Sequence, residues 1–262
     1  MPISEPKTTP PDAVSCKICG KEAPLYGVVD FNKSCVEITG KFLPLSGVPI
    51  YYRRCPQCGF LFTTAFDHWD AAQFKQFIYN DDYAEVDPEY EEVRPRRNAE
   101  MILRLFDRDR SRLRVLDYGG GNGVTADILR GAGFLSSQTY DPFYPQYAVL
   151  PEGQFEIVVC IETLEHLPDP MAGIAALAKC CAESGVVLIS TATPPADFDA
   201  QRLNWWYVGP RNGHISVFSK AALHVAWKRV GFSFGSFNDT VHIAYRTLPD
   251  FARHLMKADQ PA

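Results

Sequence analysis

The sequence predicts an α/β protein in which a sheet domain follows a small cysteine-rich module. Two Cys-x-x-Cys pairs, Cys16/Cys19 and Cys55/Cys58, lie in the N-terminal quarter of the chain. A glycine-rich loop at residues 119–123 then connects a short apolar segment to a helical pattern. Further apolar strand segments alternate with helical patterns as far as residue 245, which is typical of a parallel sheet covered by helices.

Length and composition are those of a folded protein with two units. The 262 residues suit a module of about 60 residues followed by a domain of ordinary size. No apolar run approaches the roughly 20 residues needed to cross a bilayer. The N-terminus is polar and proline-rich, without the apolar core of a secretory signal. We therefore expect no membrane span, a cytoplasmic location and reduced thiols.

The acidic residues are unevenly distributed. Residues 66–92 contain nine carboxylates against the single Lys75, and the net charge of the chain is −5. Basic residues cluster only briefly, at residues 94–97 and 104–114. A nucleic-acid interface needs a basic face, so a nucleic-acid partner is not expected.

The paired cysteines form a metal-binding pattern, with 35 residues between the two Cys-x-x-Cys turns. Each turn brings two thiolates together, and the glycine that follows it, Gly20 or Gly59, relieves the tight turn. Four sulfur ligands leave no open position on a zinc ion, which predicts a structural zinc. A redox pair and two disulfides are the alternatives, and a reducing compartment argues against both.

The chain is predicted to divide at four positions. Residues 1–14 are a flexible tail, 15–65 the zinc module, 66–110 a helical connector, 111–250 the sheet domain and 251–262 a C-terminal tail. Within the module, residues 26–31, 36–39 and 50–53 suit short β-strands. Within the connector, residues 70–79 and 88–106 have helical spacing.

The glycine loop predicts the binding of a nucleotide-containing cofactor. Its pattern is D-x-G-x-G-x-G from Asp117 to Gly123, at the start of a helix that offers free backbone N–H groups. The dinucleotide pattern G-x-G-x-x-G does not fit, so the loop favours S-adenosylmethionine (SAM) over NAD. Asp141, about twenty residues further on, is placed to accept hydrogen bonds from ribose hydroxyls. The alternative for Asp141 is a turn residue before Pro142.

The segment from Gln154 to Pro170 contains the pattern E-x-x-E-H-L-P-D-P after an apolar strand. Here the sequence resembles the class I SAM-dependent methyltransferases, which implies a Rossmann-like fold over residues 88–247. Glu156 departs from the aspartate common in that family. The short stretch between Asp141 and Phe155 leaves room for at most a stunted third strand and helix.

The resemblance also implies where SAM binds. The loop after the first strand is expected to hold the methionine end, Asp141 the ribose, and the turn after residue 160 the region near the methyl group. Aromatic side chains are expected to cover the sulfonium. The expected SAM-binding residues are Tyr83, Asp117, Tyr118, Gly119, Gly121, Gly123, Asp141, Ile161 and Glu162.

Two histidines, His166 and His214, are candidates for a general base, with His214 slightly favoured. A histidine in a loop is more often structural or solvated. The Glu162-x-x-Glu165-His166 cluster also resembles the divalent-metal site of ubiquinone-biosynthesis O-methyltransferases, and the favoured alternative is that these residues only cap the next helix. The aromatic run 205–207 is either a lid over a ring-shaped acceptor or a hydrophobic anchor.

The layout is similar to that of sugar C-methyltransferases with an N-terminal cysteine module, and residues 205–219 resemble a segment of methyltransferases from polysaccharide and natural-product clusters. This implies a small polar acceptor such as a sugar or nucleotide-sugar. A zinc-containing RNA methyltransferase and a SAM-binding interaction module without catalysis are the alternatives. The sequence makes no prediction about oligomeric state.

Overall fold

The computed structural model describes residues 13–257, and the predicted tail residues 1–12 and 258–262 lie outside this range. The N-terminal part contains β1 (Val14–Ser15), β2 (Glu22–Ala23), β3 (Leu25–Asp30), β4 (Pro49–Arg54), β5 (Leu61–Thr63), α1 (Ala71–Phe77) and α2 (Val93–Leu105). The rest contains β6 (Arg114–Tyr118), α3 (Val124–Gly131), β7 (Ser136–Tyr140), β8 (Phe155–Ile161), α4 (Pro170–Cys180), β9 (Cys181–Ser190), α5 (Phe198–Gln201), β10 (Ser216–Val217), α6 (Lys220–Arg229), β11 (Ser233–Ser236) and β12 (Val241–Tyr245).

The central sheet has six strands in the order β11-β12-β9-β8-β6-β7. The four strands β7, β6, β8 and β9 are parallel, whereas β12 runs antiparallel to β9 and β11 antiparallel to β12. The carboxyl ends of β6, β7 and β8 therefore meet at one edge of the sheet, which is where ligands bind in open α/β sheets. The predicted Rossmann-like α/β fold is confirmed.

Alternating residues of the sheet face two separate apolar layers. Val115, Ile157 and Leu188 pack with buried residues of α2 and α3. Leu116 and Val158 pack on the other side with buried residues of α4 and α6. Strands buried on both faces are continuous apolar runs, which explains why β8 and β9 were recognisable in the sequence.

A second sheet has four antiparallel strands in the order β10-β5-β4-β3. Its edge strand β10 comes from far along the chain, and Ser216 pairs with Phe62 of β5. A third apolar cluster lies between this sheet, α1 and residues 203–217. The N-terminal segment is thus joined to the rest of the fold by backbone hydrogen bonds as well as by packing.

The prediction of a strand at residues 36–39 is wrong, because Cys35–Thr39 forms a 3₁₀ helix. Ser34 precedes this helix, and its N–H donates to the Glu37 carboxylate at 3.2 Å. Gly40 ends it with φ of 83°. The S-x-x-E pattern and the terminal glycine are helix signals that the alternation of apolar residues concealed.

The C-terminal segment is packed against the sheet domain. Residues Asp250–Lys257, most of which the sequence predicts to be a tail, form a 3₁₀ helix with Ala252 and Leu255 buried. Between β7 and β8 lies only a short 3₁₀ helix, Pro145–Tyr147, as expected for a stunted third unit. Within residues 13–257 no helix is both long and apolar enough to cross a membrane.

Candidate active site

The glycine loop leaves β6 and wraps around the carboxyl end of β7. The Gly119 N–H donates to the Tyr140 carbonyl at 2.7 Å, and the Gly121 N–H donates to the Asp141 carboxylate at 2.9 Å. Gly121 has φ of 56°, a left-handed conformation that favours glycine. The loop backbone and the acidic residue after β7 therefore form one connected wall.

This wall borders a cavity of about 610 Å³. Two predicted residues are absent from the lining: Gly123, which precedes α3, and His214, which lies deeper. All the remaining residues predicted to bind SAM or to act as the base do line the cavity, namely Tyr83, Asp117, Tyr118, Gly119, Gly121, Asp141, Ile161, Glu162 and His166. Residues from three strand ends are thus brought together as the topology requires.

Asp117 presents a buried carboxylate to the cavity. The residue is 4% exposed, and its Oδ2 has no hydrogen-bond partner among the described residues. Burial raises the pKa of Asp117 to about 7, a hydrogen bond from the Thr125 side chain partly offsets this, and the nearby charge of Asp141 raises the pKa further. A buried carboxylate oxygen without a partner is costly, so a cation or hydrogen-bond donor bound there would be stabilised.

Asp141 has both carboxylate oxygens in the loop network. Oδ2 accepts from Gly121 N–H and Oδ1 accepts from Phe143 N–H, each at 2.9 Å. Burial raises the pKa of Asp141, and these two N–H groups partly offset the effect. Each oxygen keeps a further lone pair, so the fixed carboxylate can still accept from a pair of hydroxyl groups.

Glu162 forms the turn after β8 with φ of 47°, which is unusual for a residue other than glycine. Its N–H donates to the Ser190 carbonyl at 2.9 Å, and its carboxylate accepts from the Ser190 hydroxyl at 2.8 Å. Burial raises the pKa of Glu162. Strained backbone in a cavity wall is typical of functional turns.

The wall across the cavity was predicted only in part, because the aromatic and acidic loop 79–83 was expected to help form an acceptor pocket and the rest of the wall was not. Aromatic rings of Tyr79, Tyr90 and Phe143 line it, together with an ion pair in which Arg94 contacts both carboxylate oxygens of Asp87 at 2.6 and 2.7 Å. These residues belong mostly to the acidic segment 66–92 and the start of α2. The aromatic residues interleaved with the carboxylates were the sequence signal that could have indicated this wall. The signal was not enough, because burial of the segment depends on tertiary packing.

The histidines occupy different depths. His166 lines the cavity, whereas His214 is 6% exposed and lies behind it, with ring centroids 5.0 Å apart. Burial lowers the pKa of His166 well below 6.5 and that of His214 to about 4, so both rings are neutral at pH 7. The geometry favours His166 over His214 as a base that touches an acceptor, and that role stays a prediction.

Glu165, His166 and His214 also form a cluster of potential metal ligands. One donor atom from each lies within 4.8 Å of the others. Glu165 is fully buried, and its Oε2 and the Nδ1 of His166 have no hydrogen-bond partner in the described part of the chain. Unpartnered buried donors that converge in this way fit a divalent cation.

The aromatic run Trp205, Trp206 and Tyr207 does not line the cavity. Trp205 and Tyr207 are buried in the cluster beneath the four-stranded sheet, and Trp206 is 37% exposed. The structure therefore favours the interpretation of this run as an anchor over that of a lid.

The four paired cysteines converge at a separate place. The sulfur atoms of Cys16 and Cys58 are 3.6 Å apart, those of Cys19 and Cys55 are 3.4 Å apart, and all four lie within 4.8 Å. Tetrahedral zinc with bonds of about 2.3 Å separates its sulfur ligands by about 3.8 Å. The two turns are also alike, because the N–H of Gly20 and that of Gly59 each donate to the first cysteine of their pair. The cluster fits one metal ion.

A family model for a methyltransferase domain matches residues 90–234, which is more than half of the chain. The chain therefore belongs to the methyltransferase-domain family.

Curated relatives cover only part of the chain. Over 101 residues it is 33% identical to the ubiquinone biosynthesis O-methyltransferase of Aromatoleum aromaticum, covering 30% of this chain and 43% of that protein. Over 144 residues it is 38% identical to the protein of the same name from Xanthomonas oryzae pv. oryzae, covering 44% and 60%. Less than two thirds of either relative is thus matched.

An O-methyltransferase family protein from Burkholderia thailandensis superposes with a TM-score of 0.49 at 18% identity, over 67% of this chain and 63% of the other.

Proposed function

We propose that the protein transfers the methyl group of SAM to an oxygen atom of a small acceptor molecule. The observation that carries this proposal is the pairing, in one cavity, of the unpartnered Asp117 carboxylate with the fixed Asp141 carboxylate. The first suits the ammonium group of SAM and the second suits its ribose hydroxyls. The names of the curated relatives support oxygen as the methylated atom.

The glycine loop and the two aspartates hold the donor in this account. Asp117 accepts from the ammonium group, Asp141 accepts from the ribose, and Tyr83 and Tyr118 cover the remaining faces. Bound SAM supplies a methyl group on a sulfonium, and the electron pair of the broken C–S bond stays on sulfur. Such a transfer depends mainly on holding the two reacting atoms in contact.

His166 is our candidate for the general base. It lies on the cavity wall and is neutral at pH 7, so a ring nitrogen can accept the proton of an acceptor hydroxyl. The narrower prediction of a sugar or nucleotide-sugar acceptor is retained as a candidate. Aromatic rings and carboxylates in one cavity accommodate the faces and the hydroxyls of a sugar.

As the alternative to a His166 base we propose a divalent cation at Glu165, His166 and His214, which would lower the pKa of an acceptor hydroxyl bound to it. The neutral His166 ring has a single lone pair, so it serves either as the base or as a metal ligand. Mn²⁺ is a suitable probe, because the cysteine cluster prefers softer metals. Titration followed by electron paramagnetic resonance of free Mn²⁺ should show one site per chain, lost in Glu165→Gln. Retention of the site in a folded Glu165→Gln protein would contradict the assignment.

The cysteine cluster is proposed to hold one Zn²⁺ with a structural role, since four thiolates complete its coordination. A cytoplasmic location, where thiols stay reduced, remains part of the proposal.

Incubation with SAM labelled in its methyl group tests the proposed activity. The protein should label a compound in a small-molecule extract, and Asp141→Ala should strongly reduce the labelling at a SAM concentration near the wild-type Kd. Labelling of bulk RNA without any labelled small molecule would favour an RNA methyltransferase. Binding of SAM without labelling of either fraction would favour an interaction module.

A further inference from the structure

Tyr207 contacts two of the three clustered donor residues. Its hydroxyl donates to Oε1 of Glu165 and lies 3.3 Å from the Thr191 hydroxyl. Its backbone carbonyl lies 2.8 Å from Nδ1 of His214. The side chain is 1% exposed and does not line the cavity, so it cannot touch SAM or an acceptor there.

The contact with His214 determines which ring nitrogen is free. A carbonyl oxygen only accepts hydrogen bonds, so the 2.8 Å contact requires the proton of the neutral ring to sit on Nδ1. The lone pair is then on Nε2. The Cys35 sulfur, 3.4 Å from the same Nδ1, is a second and longer neighbour.

The contact with Glu165 has a similar effect on the carboxylate. Because the Tyr207 hydroxyl occupies Oε1, the oxygen left without a partner is Oε2. One buried residue therefore fixes the orientation of a carboxylate and of an imidazole that are adjacent in space but 49 positions apart in the chain.

We propose that Tyr207 is a positioning residue, which presents Oε2 of Glu165 and Nε2 of His214 as ligands for a divalent cation. The inference rests on the proposed cation. Outer partners of this kind orient metal ligands, and losing one typically lowers metal affinity or activity by about tenfold to a hundredfold.

Tyr207→Phe tests the role because it removes the hydroxyl while keeping the ring and the backbone carbonyl. We expect Mn²⁺ affinity about tenfold to a hundredfold weaker, with SAM affinity and the circular dichroism spectrum unchanged. Tyr51→Phe is the matched control, since Tyr51 is 44% exposed on β4. It should bind Mn²⁺ as the wild type does.

The outcomes separate this inference from the proposed cation. If the wild type binds Mn²⁺ and Tyr207→Phe binds it equally well, the positioning role is overturned while the cation site stands. If the wild type binds no Mn²⁺, both are overturned. In the wild type, ¹⁵N chemical shifts should show the proton of His214 on Nδ1, and a proton on Nε2 would overturn the inference without any variant.

Discussion

Two buried aspartates, Asp117 and Asp141, give the candidate site its chemistry at the scale of single residues. Asp141 is held by two backbone N–H groups, whereas one oxygen of Asp117 has no partner within residues 13–257. An unpartnered carboxylate destabilises the free protein and becomes favourable when a cation binds beside it. The two residues are therefore suited to opposite ends of the same ligand.

The raised pKa of Asp117 predicts a pH dependence. Because burial raises its pKa from 3.8 to about 7, the folded protein binds this proton more tightly than the unfolded chain does. The contribution of Asp117 to stability is therefore greatest below pH 3.8, falls as the pH rises towards 7 and is constant above that.

Binding of SAM at pH 6 should accordingly release up to about one proton, because the ammonium group stabilises the ionised carboxylate. At pH 8 Asp117 should release almost no proton, and binding should instead take up protons, because a free α-amino group with a pKa of about 8 is partly neutral there and binds as the ammonium. Calorimetry in buffers with different ionisation enthalpies measures this quantity. Asp117→Asn should release fewer protons at pH 6, and an unchanged release in that variant would show that Asp117 does not contact the ammonium group.

At the scale of elements, the four-stranded sheet carries the segment that contains His214. The pairing of β10 with β5 joins residues 216–217 to the N-terminal module, and the Tyr52 hydroxyl donates to the His214 carbonyl at 2.7 Å. The Ser219 hydroxyl donates to the carbonyl of Cys58 at 2.5 Å. We propose that the units 15–65, 66–110 and 111–250 are folding units joined through this strand pair.

Cys16→Ser should release the metal from the cysteine cluster and expose the N-terminal module to protease, because the four ligands act together. The zinc-to-protein ratio should fall from near one, and limited proteolysis should cut first within residues 15–65. Cys180→Ser is the control, since Cys180 is also buried but lies outside the cluster. A ratio that stays near one in Cys16→Ser would contradict the assignment.

The sequence alone predicted those site residues that lie at or just after the end of a β-strand. Asp117 lies near the end of β6, the glycine loop follows it, and Glu162 follows the apolar strand β8. Asp141 follows the polar strand β7 and was placed by its spacing from the glycine loop. The sequence did not predict Tyr90 and Arg94 as site residues, because the acidic segment beside them is typical of a solvated surface. The role of β10 was also hidden, because a strand of two residues has no periodicity and its partner is distant in the chain.

At the scale of the whole molecule, the cavity lies between the carboxyl edge of the central sheet and the wall formed around α1 and α2. The cysteine cluster is part of the same apolar core as α4 and α6, on the side of the sheet away from α2 and α3. In the proposed account this arrangement separates two tasks, because a metal at the cysteine cluster would stabilise the fold while the cavity would bind donor and acceptor.

The most direct test of the central claim is a calorimetric titration of SAM into the wild-type protein and into Asp141→Ala. We expect one SAM per wild-type chain and affinity roughly tenfold to a hundredfold weaker in the variant, since hydrogen bonds to charged groups contribute about 1.5–3 kcal/mol. Asp239→Ala, at an exposed aspartate on the surface, should bind as the wild type does. Absence of binding to the wild type, or equal affinity in a folded Asp141→Ala protein, would contradict the account.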